Sequence, residues 1–192
     1  MSEKYHKWAD EDWPWLHAEK IPYQPQRVIF PIGISGAGKD RFYRMFFKEA
    51  VLLSPDNIRK ELTGDISDQT RNKEVFEILH DRMRSELDRC VNDIYLSETH
   101  LWLPGLKQEV EMALPYGKEI LFYLFEDSRN WKLCQSRVRG ALASGEDRSA
   151  TADVIGKSGK PLLEEMSERY VELVESEDFK KLTNGHFVHK II

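Results

Sequence analysis

The stretch Gly33-Ile34-Ser35-Gly36-Ala37-Gly38-Lys39 directly follows the apolar run Val28-Ile29-Phe30-Pro31-Ile32 and opens a helical pattern. No other feature of the chain restricts the fold as much. A glycine-rich turn between a buried strand and a helix lets the backbone curl until consecutive N–H groups point inward. The helix N-terminus adds a field that favours an anion. Gly33, Ser35, Gly36, Ala37, Gly38 and Lys39 are therefore expected to cradle phosphate, with Lys39 reaching the β- and γ-phosphates of a nucleotide. The alternative is an ordinary strand-to-helix turn with a coincidental lysine.

The rest of the chain repeats the same alternation. Short apolar runs at Val51–Ser54, Asp93–Ser97, Glu119–Phe125 and His186–Ile191 read as strands, and Pro31 is awkward inside the first strand. Between them lie helical patterns. Arg41–Ala50 carries Phe42, Met45 and Phe46 on one face, and Asn72–Cys90 carries Val75, Leu79, Met83 and Leu87 at i, i+4 spacing. Leu106, Val110 and Leu114 mark a helix ending near Pro115, and Asn130 to about Gly140 reads as another. Leu162, Leu163, Met166, Tyr170, Leu173 and Val174 mark a strongly amphipathic helix. Strands separated by helices imply crossover units and a mostly parallel sheet covered on both faces, an α/β fold. Length and a 41% hydrophobic content suit one such domain, over residues 27–192. Residues 1–26 differ from the rest. They hold Trp8, Trp13 and Trp15 among Tyr, His, Pro and acids, and read as an aromatic N-terminal arm. Its rings either pack on the domain or form a surface on which bases stack.

Candidate chemistry collects at the ends of the strands. After the loop lysine the motif calls for Ser or Thr to hold Mg²⁺, and this chain has Asp40. Three readings are open: a carboxylate ligand of Mg²⁺, a helix-terminal residue, or an inactivating substitution. After the second strand, Ser54-Pro55-Asp56-Asn57-Ile58-Arg59 puts Asp56 and Arg59 one helical turn apart on a shared face. A carboxylate at that edge suits a general base for an acceptor hydroxyl. Arg59 then either holds an acceptor phosphate or orients Asp56, against the plainer reading of Asp56 as a helix cap. After the third strand comes Ser97-Glu98-Thr99-His100-Leu101. Glu98 is a candidate for Mg²⁺ or its water, and His100 lines the acceptor pocket or is structural. The Arg129–Arg148 stretch, with Lys132, Arg137, Arg139 and Arg148 around Gly140 and Gly145, suits a flexible lid that places guanidinium groups on developing charge. A solvated helix face is the alternative for each of these arginines.

Composition bounds the partners. The net charge of −5 gives no global basic field for nucleic acid, so such binding needs a local patch. The longest apolar runs are too short to span a bilayer, and the N-terminus lacks an apolar signal core. Cys90 and Cys134 are the only cysteines, and neither sits in a Cys-x-x-Cys or Cys/His cluster. The expectation is a reduced, cytoplasmic protein without a zinc site or a membrane partner.

Together, the loop at Gly33–Lys39, the Ser-Pro-Asp56-Asn-Ile-Arg59 segment, the Ser97–Leu101 turn and the arginine-rich stretch resemble the phage polynucleotide kinase branch of the P-loop kinases. The resemblance covers roughly Val28 to Tyr170. It implies a five-stranded parallel sheet with helices on both sides, ATP as donor and Mg²⁺ as cofactor. It also implies Asp56 as general base, Arg59 on acceptor phosphate and a lid arginine, Arg139 or Arg148, on the transferring phosphate, with Arg137 near the nucleotide. The family turn reads Ser-Asp-Thr-Asn-Leu, so Glu98 and His100 are departures, as are Asp40 and the aromatic arm. The implied acceptor is a nucleic acid, DNA ahead of RNA: a 5′-hydroxyl end, or the hydroxymethyl group of 5-hydroxymethyluracil. A small-molecule kinase for a nucleoside, sugar or antibiotic, and a non-catalytic nucleotide-binding protein, are the other classes that fit the residues.

Overall fold

A computed structural model describes residues 25–146 and 149–192. The aromatic arm, apart from Pro25 and Gln26, and Arg148 of the arginine-rich stretch lie outside the described residues. Five strands form one all-parallel sheet: β1 (Arg27–Ile32), β2 (Val51–Leu53), β3 (Ile94–Leu96), β4 (Glu119–Phe125) and β5 (Phe187–Ile191), in the order β2-β3-β1-β4-β5. β1 is central and pairs with β4 over its whole length, Arg27 with Glu119 through Ile32 with Leu124. Its pairing with β3 covers only Val28 and Ile29. Pro31 therefore lies beyond the β3 ladder, where its missing N–H breaks no strand hydrogen bond; its carbonyl accepts a hydrogen bond from His100 Nδ1 at 3.0 Å.

The connections are helices: α1 (Lys39–Phe46), α2 (Pro55–Thr63), α3 (Asn72–Arg89), α4 (Leu103–Ala113), α5 (Trp131–Ala143), α6 (Leu162–Glu175) and α7 (Glu177–Thr183). Alternation along the strands sorts the core into two layers. Val28, Phe30 and Ile32 of β1 join Ile120, Phe122 and Leu124 of β4 against the apolar faces of α3, α4, α6 and α7. Ile29, Tyr95 and Leu121 face the other way and pack with Phe42, Tyr43 and Phe47. That second layer is thin, because α1 is only two turns long. The apolar face expected on this helix is not buried as a unit: Phe42 packs inward, but Met45 and Phe46 are exposed. The helix stops at Phe46, and Phe47, whose N–H bonds the Tyr43 carbonyl, takes the interior place instead. β1 is anchored at its start by a fork from Arg27 Nε to Asp93 Oδ2 at 2.9 Å, while the Arg27 N–H reaches Asp93 Oδ1.

A parallel sheet with this order changes winding direction beside β1. The carboxyl ends of β1, β2 and β3 thus converge on one edge, the place where open α/β sheets bind ligands. No described helix is long and apolar enough to cross a membrane.

The two core layers predict unequal sensitivities. Phe122 is fully buried, stacked on Phe30 at 5.4 Å and edge-on to Phe179. Phe122→Ala is expected to cost about 3–5 kcal/mol in urea unfolding. Phe46→Ala, at an exposed position, is expected to stay within about 0.5 kcal/mol of the parent.

Candidate active site

The phosphate loop leaves β1 and is fixed by neighbours on both sides. The Gly33 N–H bonds the Thr99 carbonyl at 3.1 Å, and the Ile34 N–H bonds the buried Ser128 Oγ at 3.1 Å. Gly36 and Gly38 have φ of 83° and 104°, in the left-handed region that side chains resist. At Gly36 a Cβ would also lie 2.4 Å from the Cys134 carbonyl of α5, so glycine is required there by both conformation and contact. The N–H groups of Ser35, Gly36 and Gly38 have no backbone acceptor among the described residues. Lys39 is buried at the head of α1, with Nζ donating to the Gly33 and Ile34 carbonyls at 2.8 and 2.9 Å. The Tyr95 hydroxyl bonds the Lys39 carbonyl at 3.0 Å from the neighbouring strand β3. Uncommitted N–H groups, a lysine over the loop and a helix N-terminus form a donor set suited to a polyphosphate.

Asp40 sits exposed in the first turn of α1. Across the edge, Asp56 stands in the first turn of α2, whose N-cap is Ser54 rather than Asp56: Ser54 Oγ accepts from the Asn57 N–H at 3.4 Å. The capping role is thus already filled, and Asp56 is left to other uses. Its Oδ1 accepts from Arg59 Nη1 at 2.5 Å, and Arg59 Nη2 donates to Asn72 Oδ1 at 2.8 Å. Arg59 is buried, with both terminal nitrogens engaged. Of its two expected roles, the orientation of Asp56 is visible in these contacts, and each terminal nitrogen keeps a second N–H beyond them. Burial pushes the Asp56 carboxyl above the ordinary range. The charge of Asp40 adds to this, while Arg59 and Lys39 pull the other way. The charges at the head of α1 therefore reach the Asp56 carboxyl of α2.

Glu98 and His100 lie in the turn after β3. Glu98 Oε1 is turned toward His100 Nε2, at 3.5 Å, and burial beside Glu109 raises its carboxyl well above the usual value. His100 is buried rather than lining an open pocket, with φ of 52°.

Within the arginine-rich stretch expected to form a lid, Trp131–Ala143 is a regular helix, α5, packed on α6. Its arginines diverge. Arg137 Nη1 bonds Asp127 Oδ2 at 2.7 Å and reaches the Gly36 carbonyl of the phosphate loop at 3.4 Å. Arg139 is instead paired with Asp153 Oδ1 at 2.6 Å and is half-exposed. Residues two apart on a helix point to nearly opposite sides, so one side of α5 cannot present both arginines to the loop. Arg129 pairs with Glu126 and Glu175, away from the loop contact. Sequence reasoning missed Ser128, Tyr95 and Asn72 as supports of the site, and Glu109 as the partner of Glu98 and His100. None carries a local motif; only the fold brings them together.

The chain has the fold of the P-loop kinases. No protein-family model and no curated protein matches the sequence. Among solved structures it is similar to a chain of the Pnkp1/Rnl/Hen1 RNA repair complex, with TM-score 0.60 and 18% identity, over 83% of this chain and 49% of that one. It is also similar to a protein from Chloroflexus aurantiacus j-10-fl whose description proposes a kinase. There the TM-score is 0.51 and the identity 14%, over 88% of this chain and 85% of that one. The chain spans less than half of the repair-complex chains it matches, 38% of one and 49% of another.

Gly36→Ala tests the loop geometry. It is expected to lower the melting temperature and to abolish nucleotide binding by calorimetry, because φ of 83° and the Cys134 carbonyl both oppose a side chain. Gly140→Ala, where a Cβ meets nothing within 4 Å, is expected to leave binding unchanged.

Proposed function

We propose that this chain is an ATP-dependent phosphotransferase that moves a γ-phosphate to a hydroxyl of a nucleic acid, either a 5′-hydroxyl end or the hydroxymethyl group of 5-hydroxymethyluracil in DNA. The observation that carries this reading is the Asp56–Arg59–Asn72 constellation at the edge it shares with the phosphate loop. A nucleotide-binding protein without an acceptor has no need of a half-buried carboxylate held by a buried arginine there. A chain of similar fold belongs to an RNA repair complex, which supports a polynucleotide acceptor over a small molecule.

The residues fit ATP and Mg²⁺. The loop's glycine conformations open a cradle at Ser35–Gly38, and Lys39 is already turned over it. Asp40 supplies a hard oxygen at the motif's metal position, while Glu98 turns one oxygen to His100 instead. Magnesium, when held by Asp40, supplies neutralisation of the charge on the phosphates. On this reading Lys39 exchanges its two loop carbonyls for phosphate oxygens, and Arg137 stands beside the loop as its peripheral cation. Asp56 takes the proton of the acceptor hydroxyl as its oxygen bonds the γ-phosphorus and the bond from that phosphorus to the β–γ bridging oxygen breaks, with ADP as the leaving group. Arg59 holds Asp56 in place and opposes the upward push that burial gives its carboxyl.

The test is a transfer assay with γ-labelled ATP over 5′-hydroxyl oligonucleotides, hydroxymethyluracil DNA, free nucleosides and nucleotides. Label is expected on one of the two nucleic-acid classes. Label on free nucleosides alone would establish the small-molecule reading, and label on nothing would sink the enzyme reading. Asp56→Asn is expected to bind ATP normally and to slow transfer by about 10²–10⁴-fold. Because Arg59 lowers the Asp56 value, Arg59→Gln is expected to move the acid limb of the pH–rate profile to higher pH. A limb that stays in place would remove Asp56 from the proton transfer.

A further inference from the structure

Three buried side-chain atoms converge behind the turn after β3, and none has a hydrogen-bond partner among the described residues: Glu98 Oε1, His100 Nε2 and Glu109 Oε2. The ligating atoms of the three residues lie within 4.8 Å of one another. The side chains of His100 and Glu109 are 1% and 3% exposed, so water does not satisfy them from outside. An unpaired polar atom at such a place costs free energy that something must offset. We infer that Glu98, His100 and Glu109 form a binding site for a divalent first-row transition cation such as Zn²⁺, distinct from the Mg²⁺ position at the phosphate loop.

Spacing supports this reading. His100 Nε2 lies 3.5 Å from Glu98 Oε1 and 3.4 Å from Glu109 Oε2, too long for good hydrogen bonds. Ligands held at about 2.1 Å around a tetrahedral ion stand about 3.4 Å apart, which matches the two separations from His100, while the set as a whole spans up to 4.8 Å, so the two carboxylates draw together when an ion binds.

The surroundings are also those of a ligand set. His100 Nδ1 is 3.0 Å from the Pro31 carbonyl, which only accepts, so Nδ1 carries a proton and Nε2 is the ring atom that faces the cluster and would bind an ion. A backbone carbonyl on the far nitrogen is the usual way a metal-binding imidazole is oriented. Glu109 is backed in the same manner, with His80 Nε2 3.3 Å from its other oxygen, Oε1. His100 is held at φ of 52°, a conformation uncommon outside glycine, and its side chain is 1% exposed. One nitrogen and two carboxylate oxygens suit zinc, cobalt or manganese, whereas magnesium prefers oxygen ligands alone. Three protein ligands leave a fourth position open. Glu98, the least buried of the three, marks the side from which an ion or water arrives. The cysteines take no part, so the absence of a cysteine cluster gave no sign of this site.

The experiment uses the full chain without an affinity tag, stripped with a chelator and titrated with Zn²⁺ and with Co²⁺. One equivalent is expected to bind, with a visible cobalt band of a four-coordinate N/O site and a rise in melting temperature that depends on Zn²⁺ concentration. Glu98→Gln is nearly isosteric and removes one anionic ligand. It is expected to lose the cobalt band and weaken Zn²⁺ at least as much as His80→Phe, which should cost about 10–100-fold as an outer support. Circular dichroism on each variant separates loss of the site from loss of the fold. A wild-type chain that takes up no equivalent of Zn²⁺, or folded Glu98→Gln and His80→Phe variants that bind it as the parent does, would overturn the site. Neither result bears on phosphate transfer, which the labelled-ATP assay judges separately.

Discussion

The phosphate loop is held in shape by groups outside itself. Thr99, from the turn after β3, takes the Gly33 N–H; Ser128, from the turn after β4, takes the Ile34 N–H; and the Cys134 carbonyl of α5 closes over Gly36. Each hydrogen bond is worth only about 1 kcal/mol net, but together they determine which way the remaining N–H groups point. They also explain why the sheet order matters. β1 can borrow partners from both β3 and β4 only because those strands flank it. The stability of the core and the readiness of the site are thus linked through one strand.

The same edge sets the electrostatics. Lys39 and Asp40 head α1, Asp56 and Arg59 lie in the first two turns of α2, and the Asp56 carboxyl feels the charges of the other three. Asp56 is raised by burial and by Asp40, and is kept usable by Arg59 and Lys39. Arg59 is itself costly to bury, since its Nε lacks a partner among the described residues, and Asp56 and Asn72 offset that cost. A bound polyphosphate with its metal would add charges of both signs here. The acid strength of Asp56 therefore belongs to the whole cleft rather than to one residue.

Much of this was legible in the residues themselves. The strand Glu119–Phe125 follows from the continuous apolar run Ile120–Phe125, and the phosphate loop follows from its glycines, its lysine and the strand before it. Local patterns carry such information because neighbours in sequence decide them. Other features were not legible, for reasons that are equally physical. The apolar residues of α1 imply a buried face, but the helix is too short to bury Met45 and Phe46. The spacing of Arg137 and Arg139 does not show which one meets the loop, because that depends on how α5 is rotated on α6. α7 is a seven-residue helix whose sequence, Glu177 to Thr183, carries two acids and two lysines and little periodicity. Glu109 reads as one more charge in a charged helix, and only the turn of the chain at His100 brings it to Glu98.

If the loop exists to hold a polyphosphate, discrimination among nucleotides should follow phosphate number rather than base. Calorimetric affinities of the full chain for ATP, ADP and AMP, each with Mg²⁺, measure this directly. The account predicts that ATP and ADP bind far more tightly than AMP, because the Ser35–Gly38 N–H groups and Lys39 meet phosphates beyond the first. Equal affinity for all three, or binding that survives Lys39→Ala unchanged, would contradict it.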